Sequence, residues 1–388
     1  MPTKLGELCS LITKGTTPTS VGFEFSDSGV KFLRVQNIFD GKVNYADDTL
    51  FISADVHKVL KRSQIAPGDV LISIAGTIGR TGIVPDDAPE LNCNQAVAIL
   101  RTTEKVDQSY LRHWLESVEA QRQMRGATVT GTIQNLSLSQ IGDLQIPLPP
   151  LPEQRRIAAI LDQADALRIK RREALAQLDS LAQSIFVEMF GDPLTNPKGW
   201  PVVKFGDVGN LDRGISKHRP RNDPALLGGA HPLIQTGDVA NSGGYIRAYK
   251  STYSDLGVRQ SKLWPRGTLC ITIAANIAKT GILTFDACFP DSVVGFSANE
   301  EATVEYVRVW LSFLQKTLEE NAPESAQKNI NLAILRGLDI PLPPIELREH
   351  FGQALRVQMN LANSGERSAK QLDAMFASLQ HRAFRGEL

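Results

Sequence analysis

Residues 135–151 read NLSLSQIGDLQIPLPPL and residues 329–345 read NINLAILRGLDIPLPPI, so one motif occurs twice, 194 residues apart. Asn135/Asn329, Leu138/Leu332, Leu144/Leu338 and the whole Ile-Pro-Leu-Pro-Pro block, 146–150 and 340–344, coincide. The offset continues without a gap through Leu161/Leu355, Leu167/Leu361, Leu178/Leu372 and Phe190/Phe384. A match of this length marks a duplicated unit, and repeats decide architecture before anything else does. Upstream the offset drifts to about 200, as unequal loops would cause. There Leu5-Gly6-Glu7 answers Phe205-Gly206-Asp207, and Thr81-Gly82-Ile83 answers Thr280-Gly281-Ile282.

Within the motif each proline fixes its own φ and biases the preceding residue away from the helix, so Ile-Pro-Leu-Pro-Pro is predicted extended. Pro152-Glu153 then suits a helical first turn. Ile157, Ala164, Leu167, Ala174, Leu178, Leu181 and Ile185 follow a 3-4 spacing that Arg171 interrupts. No Gly or Pro occurs between Glu153 and Gly191, which predicts a helix of roughly 55 Å. The second copy repeats the stripe with Phe351, Ala354, Gln358, Leu361, Leu372, Met375 and Leu379, and Asn363-Ser364-Gly365 is expected to weaken or kink it. Two such stripes predict a coiled coil; two independent amphipathic helices, each packed on its own domain, are the alternative. Ahead of each helix, runs such as 70–74 and 269–273 read as strands, and 110–124 and 304–318 as helices. The expected fold class is α+β: two mixed α/β domains separated by two long helices. The expected boundaries are 1–152, 153–191, 192–345 and 346–388.

Composition bounds the function loosely. The 388 residues suit two globular domains. No apolar run approaches the ~20 residues of a membrane span. With no signal-peptide core and no C-x-x-C among Cys9, Cys93, Cys270 and Cys288, the expected compartment is the cytoplasm. Lys plus Arg equals Asp plus Glu at 42 each, so the basic footprint of a nucleic-acid binder is missing at whole-chain level. Residues 1–150 are even slightly acidic, 14 basic against 16 acidic.

The two proline blocks with their helices, together with Phe190-Gly191-Asp192-Pro193 and Asn196-Pro197-Lys198-Gly199-Trp200 opening the second copy, resemble the type I restriction-modification specificity-subunit family. The resemblance covers essentially the whole chain. It implies two target recognition domains held apart by an antiparallel coiled coil, double-stranded DNA as ligand, two methyltransferase (modification) subunits as partners, and restriction/translocase subunits that join them. A bipartite, asymmetric DNA target with an unread spacer follows from such a ruler. One departure stands out: Leu-Pro-Glu-Gln at 151–154 opens the first helix, but Ile-Glu-Leu-Arg at 345–348 opens the second. A specificity module of another restriction system, or an inactive homologue that captures modification subunits, is the second reading.

No catalytic constellation is found. The chain lacks an Asn/Asp-Pro-Pro-aromatic motif and a G-x-x-x-x-G-K-[ST] loop, and its six histidines have no metal-ligand spacing. No cofactor is therefore expected on this chain; S-adenosylmethionine, ATP and Mg are expected only in partner subunits. DNA contacts fall to the domains, because cations neutralise phosphates and Arg reads guanine. In the first domain the candidates are Thr16, Thr17, Arg34, Asn37, Arg80, Arg125 and Thr130. In the second they are Arg213, Lys217, Arg219, Arg247, Lys250 and Lys279, near Tyr245, Tyr249, Tyr253 and Trp264. Partner-binding and spacer roles are expected of Pro149, Pro150, Ile157, Leu161, Leu167, Leu178 and Leu181, and of Pro343, Pro344, Leu361, Leu372 and Met375.

Overall fold

The structure, a computed structural model, describes residues 2–46, 48–127, 135–218, 220–274, 277–320 and 329–388, side chains at 127, 179 and 180 excepted. The chain divides into two compact units, 1–173 with 366–388, and 174–365.

In the first unit the apolar run Val70–Ser73 is a fully buried strand at the heart of a six-stranded sheet. The order is Cys9–Lys14, Val97–Thr102, Val70–Ser73, Thr81–Ile83, Gly41–Val43 and Ile38–Phe39. A four-stranded sheet follows the order Leu50–Ile52, Val30–Leu33, Leu91–Cys93, Gln64–Ile65. The second unit repeats the plan. Its larger sheet runs Asn210–Arg213, Val293–Ser297, Leu269–Thr272, Thr280–Leu283, Gly244–Ile246. Its smaller one runs Ser251–Tyr253, Leu227–Leu233, Ala287–Cys288, Leu263–Trp264.

The proline block is extended in both units. Gln145–Pro147 pairs antiparallel with Pro2–Lys4, and Asp339–Pro341 with Val202–Lys204. A buried tyrosine fastens each block: the Tyr110 hydroxyl donates to the Pro147 carbonyl at 2.8 Å, and Tyr306 to Pro341 at 2.5 Å. Tyr110 lies on the helix Gln108–Leu115, which stops short of the expected 110–124 run. A second helix, Val118–Ala127, restarts where the Ser117 hydroxyl accepts from the Ala120 amide at 3.2 Å. The corresponding helix of the second unit, Glu301–Glu320, is unbroken.

The long helices span Leu151–Phe190 and Ile345–Ala383. In the first unit Arg168 bonds Asp373 at 2.7 Å and lies 4.2 Å from the Phe376 ring. In the second, the Gln358 amide donates to the Leu178 carbonyl. Within the first unit Arg156 also bonds the Leu388 carbonyl at 2.9 Å, so the two segments run antiparallel there. The helix continues unbroken through Asn363-Ser364-Gly365, where a kink was expected. A Cβ at Gly365 would sit 2.7 Å from Leu175 Cδ2, so the glycine serves close packing between the helices.

In the first unit the buried stripe of the first helix is Gln154, Ile157, Ala158, Leu161 and Ala164, and in the second unit the same helix buries Ala182, Phe186 and Phe190. After Ala164 the face turns. Arg168 sits against the second helix, and Leu167 is 54% exposed. Leu181, Leu361 and Met375 are exposed, and Leu178 and Leu372 are half-buried. Pro149 is half-buried and Pro343 buried, whereas Pro150 and Pro344 are exposed.

The differing helix openings have one structural answer. Buried Gln154 accepts from the Asp107 amide at 2.9 Å and donates to the Lys105 and Pro149 carbonyls at 3.1 and 2.9 Å. Arg348 takes the corresponding place, donating to the Pro343 carbonyl at 3.0 Å and to the Thr303 hydroxyl. Burial pulls its guanidinium pKa down.

Candidate nucleic-acid interface

In each unit the pairing register brings several strand ends to one edge of the larger sheet. In the first unit, Cys9–Lys14 ends beside the start of Val97–Thr102, Val70–Ser73 ends beside it, and Thr81–Ile83 and Gly41–Val43 begin there. The residues leaving that edge are therefore Thr16-Thr17, Asn94-Gln95 and the turn that carries Arg80. The Thr16 amide donates to the Cys93 carbonyl at 3.0 Å, and the Thr17 hydroxyl donates to Gln95 Oε1. The Asn94 amide donates to the Leu33 carbonyl at 3.1 Å, which ties in the segment that opens with Arg34.

A glycine makes this approach possible. A Cβ at Gly15 would lie 2.1 Å from the Cys93 carbonyl oxygen, and at Gly214 2.3 Å from that of Pro290. Gly15 and Gly214 donate to the carbonyls of Val97 and Val293 at 3.0 and 2.8 Å. The backbone bonds therefore match position for position: Gln95 corresponds to Asp291, and Arg80, whose carbonyl accepts from Ser73, to Lys279, whose carbonyl accepts from Thr272. Arg34 likewise corresponds to Gln235, since the Arg34 amide donates to Asn37 Oδ1 at 2.8 Å and the Gln235 amide to Asp238 Oδ2 at 2.9 Å.

The side chains on this shared frame differ. The first unit presents Thr17 bonded to Gln95, with Arg34 bonded to Asp48 at 3.0 Å. The second presents Arg213, which donates to the Asp291 carbonyl oxygen, and Arg221, which is paired with the Asp291 carboxylate. Lys217 is exposed, and its amide donates to Gln260 at 2.7 Å. Lys279 is half-buried, its amide bonded to the Thr272 hydroxyl at 3.1 Å.

A second cluster forms where the turn 236–240 meets the loop 247–250. Asn241, Tyr245, Arg247, Tyr249 and Lys250 line a cleft of about 270 Å³. Arg247 lies 5.4 Å from the Tyr245 ring, and Tyr249 is 45% exposed. Such a mix of cations and exposed aromatic faces suits phosphate contact and stacking.

Several residues singled out in the sequence are placed otherwise. Asn37 is 2% exposed and holds its own turn. Tyr253 and Trp264 belong to the core, with Trp264 stacked on Phe289 at 4.8 Å. Arg125 is exposed on the Val118–Ala127 helix. Thr130 and Arg219 lie outside the described residues. Gln95, Asp291 and Arg221 were not among the candidates. A matching polar position just ahead of Val97 and Val293 was the signal that could have found the first two.

Beside the edge of the first unit, Arg112 joins the domain to the first long helix. It is 6% exposed at its side chain and bonds Asp162 at 3.0 Å and Asp165 at 3.4 Å. Fully buried His113 meets Asp162 at 2.7 Å, and Ser109 donates to it at 2.8 Å. Burial acts to raise the Asp162 pKa, but the bonds from His113 and Ser109 and the charge of Arg112 outweigh it and hold it at about 2. Burial pushes the Cys9 thiol up to about 12, and it raises Cys93, Cys270 and Cys288 as well. These thiols stay protonated and unreactive at neutral pH. Among the described residues no three His, Cys, Asp or Glu are grouped to hold a metal ion, and no helix is long and apolar enough to cross a membrane.

The family described as "Type I restriction modification DNA specificity domain" matches residues 1–179 and again residues 197–355. The chain is 31% identical over 174 residues to the EcoBI specificity subunit of Escherichia coli, a match covering 43% of this chain and 36% of that protein. It is 21% identical over 363 residues to the putative MjaX specificity subunit of Methanocaldococcus jannaschii, covering 89% and 84%. Among solved structures, a chain from work on assembly and conformational transition of the type I R-M system aligns with a TM-score of 0.59 at 19% identity, covering 100% of this chain and 98% of that one. The S subunit from M. genitalium aligns at 0.56 and 14% identity, covering 99% and 96%.

Proposed function

The chain belongs to the type I restriction modification DNA specificity domain family, and on that premise we propose that it reads the DNA target of a type I complex as two separate half-sites, one per unit. The observation that carries this reading is the strand edge built on one frame in both units but furnished differently, Thr17-Gln95 in one and Arg213-Arg221-Asp291 in the other. A scaffold has no use for that divergence. A reader of two unlike half-sites needs it, since base edges are distinguished by the donors and acceptors that meet them.

The chain supplies recognition and assembly and leaves the chemistry to its partners. Two methyltransferase (modification) subunits bring S-adenosylmethionine, and restriction/translocase subunits bring ATP and Mg. Apolar side chains left exposed on the long helices, Leu167 and Met375 in the first unit and Leu181 and Leu361 in the second, are offered to the modification subunits. Cytoplasmic DNA is the substrate. Sequencing methylated sites in cells that carry the chain with its modification and restriction subunits tests the reading. Two short specified sequences around an unread spacer are expected, and a single continuous palindrome would contradict it.

A further inference from the structure

We propose that Gln95 reads an adenine in one half-site and that Asp291, its counterpart, positions Arg221 to read a guanine in the other. The inference rests on the functional reading above and names the residues that make the halves differ.

Gln95 is exposed at the strand edge, and its only bond among the described residues is the one its Oε1 accepts from Thr17. In this arrangement Oε1 faces the Thr17 hydroxyl and the amide nitrogen faces away from it. The bond leaves the amide nitrogen free to donate and one lone pair of Oε1 free to accept. A glutamine in this state offers the donor-acceptor pair that matches N7 and N6 of adenine.

The same backbone position carries a carboxylate in the second unit, which cannot donate. Instead Asp291 holds two arginines: its side chain pairs with Arg221, and its backbone carbonyl accepts from Arg213. The Arg221 side chain remains 46% exposed. A guanidinium has five donors, so one spent on Asp291 leaves enough for a bidentate contact to O6 and N7 of guanine. Asp291 is thus a positioning residue, and Arg221 makes the contact.

The test uses the assembled complex and reads methylated sites genome-wide. Gln95→Ala should relax one adenine in one half-site, lowering discrimination there by roughly 5- to 150-fold, the equivalent of one bidentate pair. Gln95→Glu, which keeps the shape but only accepts, should shift that position towards cytosine. Asp291→Asn and Arg221→Lys should each relax a guanine in the opposite half-site and leave the first half unchanged. If the wild-type complex methylates no two-part sequence, the functional reading itself fails. If it does, and the assembled variants leave both parts unchanged, move the same half, or methylate nothing, this inference alone is overturned.

Discussion

The Arg168 guanidinium lies 2.7 Å from the Asp373 carboxylate, joining the two long helices across 205 residues of sequence. The same guanidinium bonds Asp165 at 3.0 Å and covers the Phe376 ring, and its side chain is only 18% exposed. Arg168→Ala should therefore destabilise the first unit by about 1–2 kcal/mol through lost pairing and cation–π contact. Asp373→Asn should cost less, because Asp373 is half exposed and its partner keeps Asp165. Thermal unfolding of the two variants checks the ranking.

The tyrosine clasps give a matched pair of tests. Tyr110→Phe and Tyr306→Phe each leave a proline-block carbonyl without its donor, a loss of about 1–2 kcal/mol. At this unit size that lowers Tm by about 2–4 °C per kcal/mol. Equal shifts are expected, since the geometry is repeated; a shift in one variant alone would break the equivalence.

Gln154 and Arg348 should be interchangeable in one direction. Gln154→Ala removes the partner of a buried amide and of two carbonyls, so its loss should exceed about 2 kcal/mol. Arg348→Gln restores the first unit's solution and should be milder than Arg348→Ala. Denaturant midpoints rank the three.

Asp162 gives the acid limb of stability. Its pKa is depressed from 3.8 to about 2, so its contribution is complete above the ordinary value and is lost as pH falls through the folded one. The groups facing it are Ser109, Arg112 and His113. Unfolding midpoints at pH 7 should fall in Asp162→Asn relative to wild type, and the gap should narrow by pH 3 and largely close by pH 2. A gap constant across that range would contradict the assignment.

Much of this was written in the chain. The repeated proline block announced the duplication, and the absence of Gly and Pro after Glu153 announced the helix, because both signals are local. What stayed hidden depends on tertiary placement. Trp264 and Tyr253 sit among cations in sequence, yet they fill the core because their strands, Leu263–Trp264 and Ser251–Tyr253, turn them inward. Leu167 fits the 3-4 stripe, but the seam has turned to Arg168 by that point. Gln95 and Asp291 carry no motif. They become a pair only when Gly15 and Gly214 bring the same strand ends together.

If the two units read separate half-sites, exchange of one domain should change only one of them. Residues 1–150 would be replaced by the equivalent domain of a relative with a different target. The hybrid would be assembled with the modification subunits proposed above, and methylated sites would be sequenced genome-wide. One half of the recognised sequence should change to the donor's, while the other half and the spacer stay as they were. Change in both halves, or methylation at unrelated sites, would contradict independent reading by the two units.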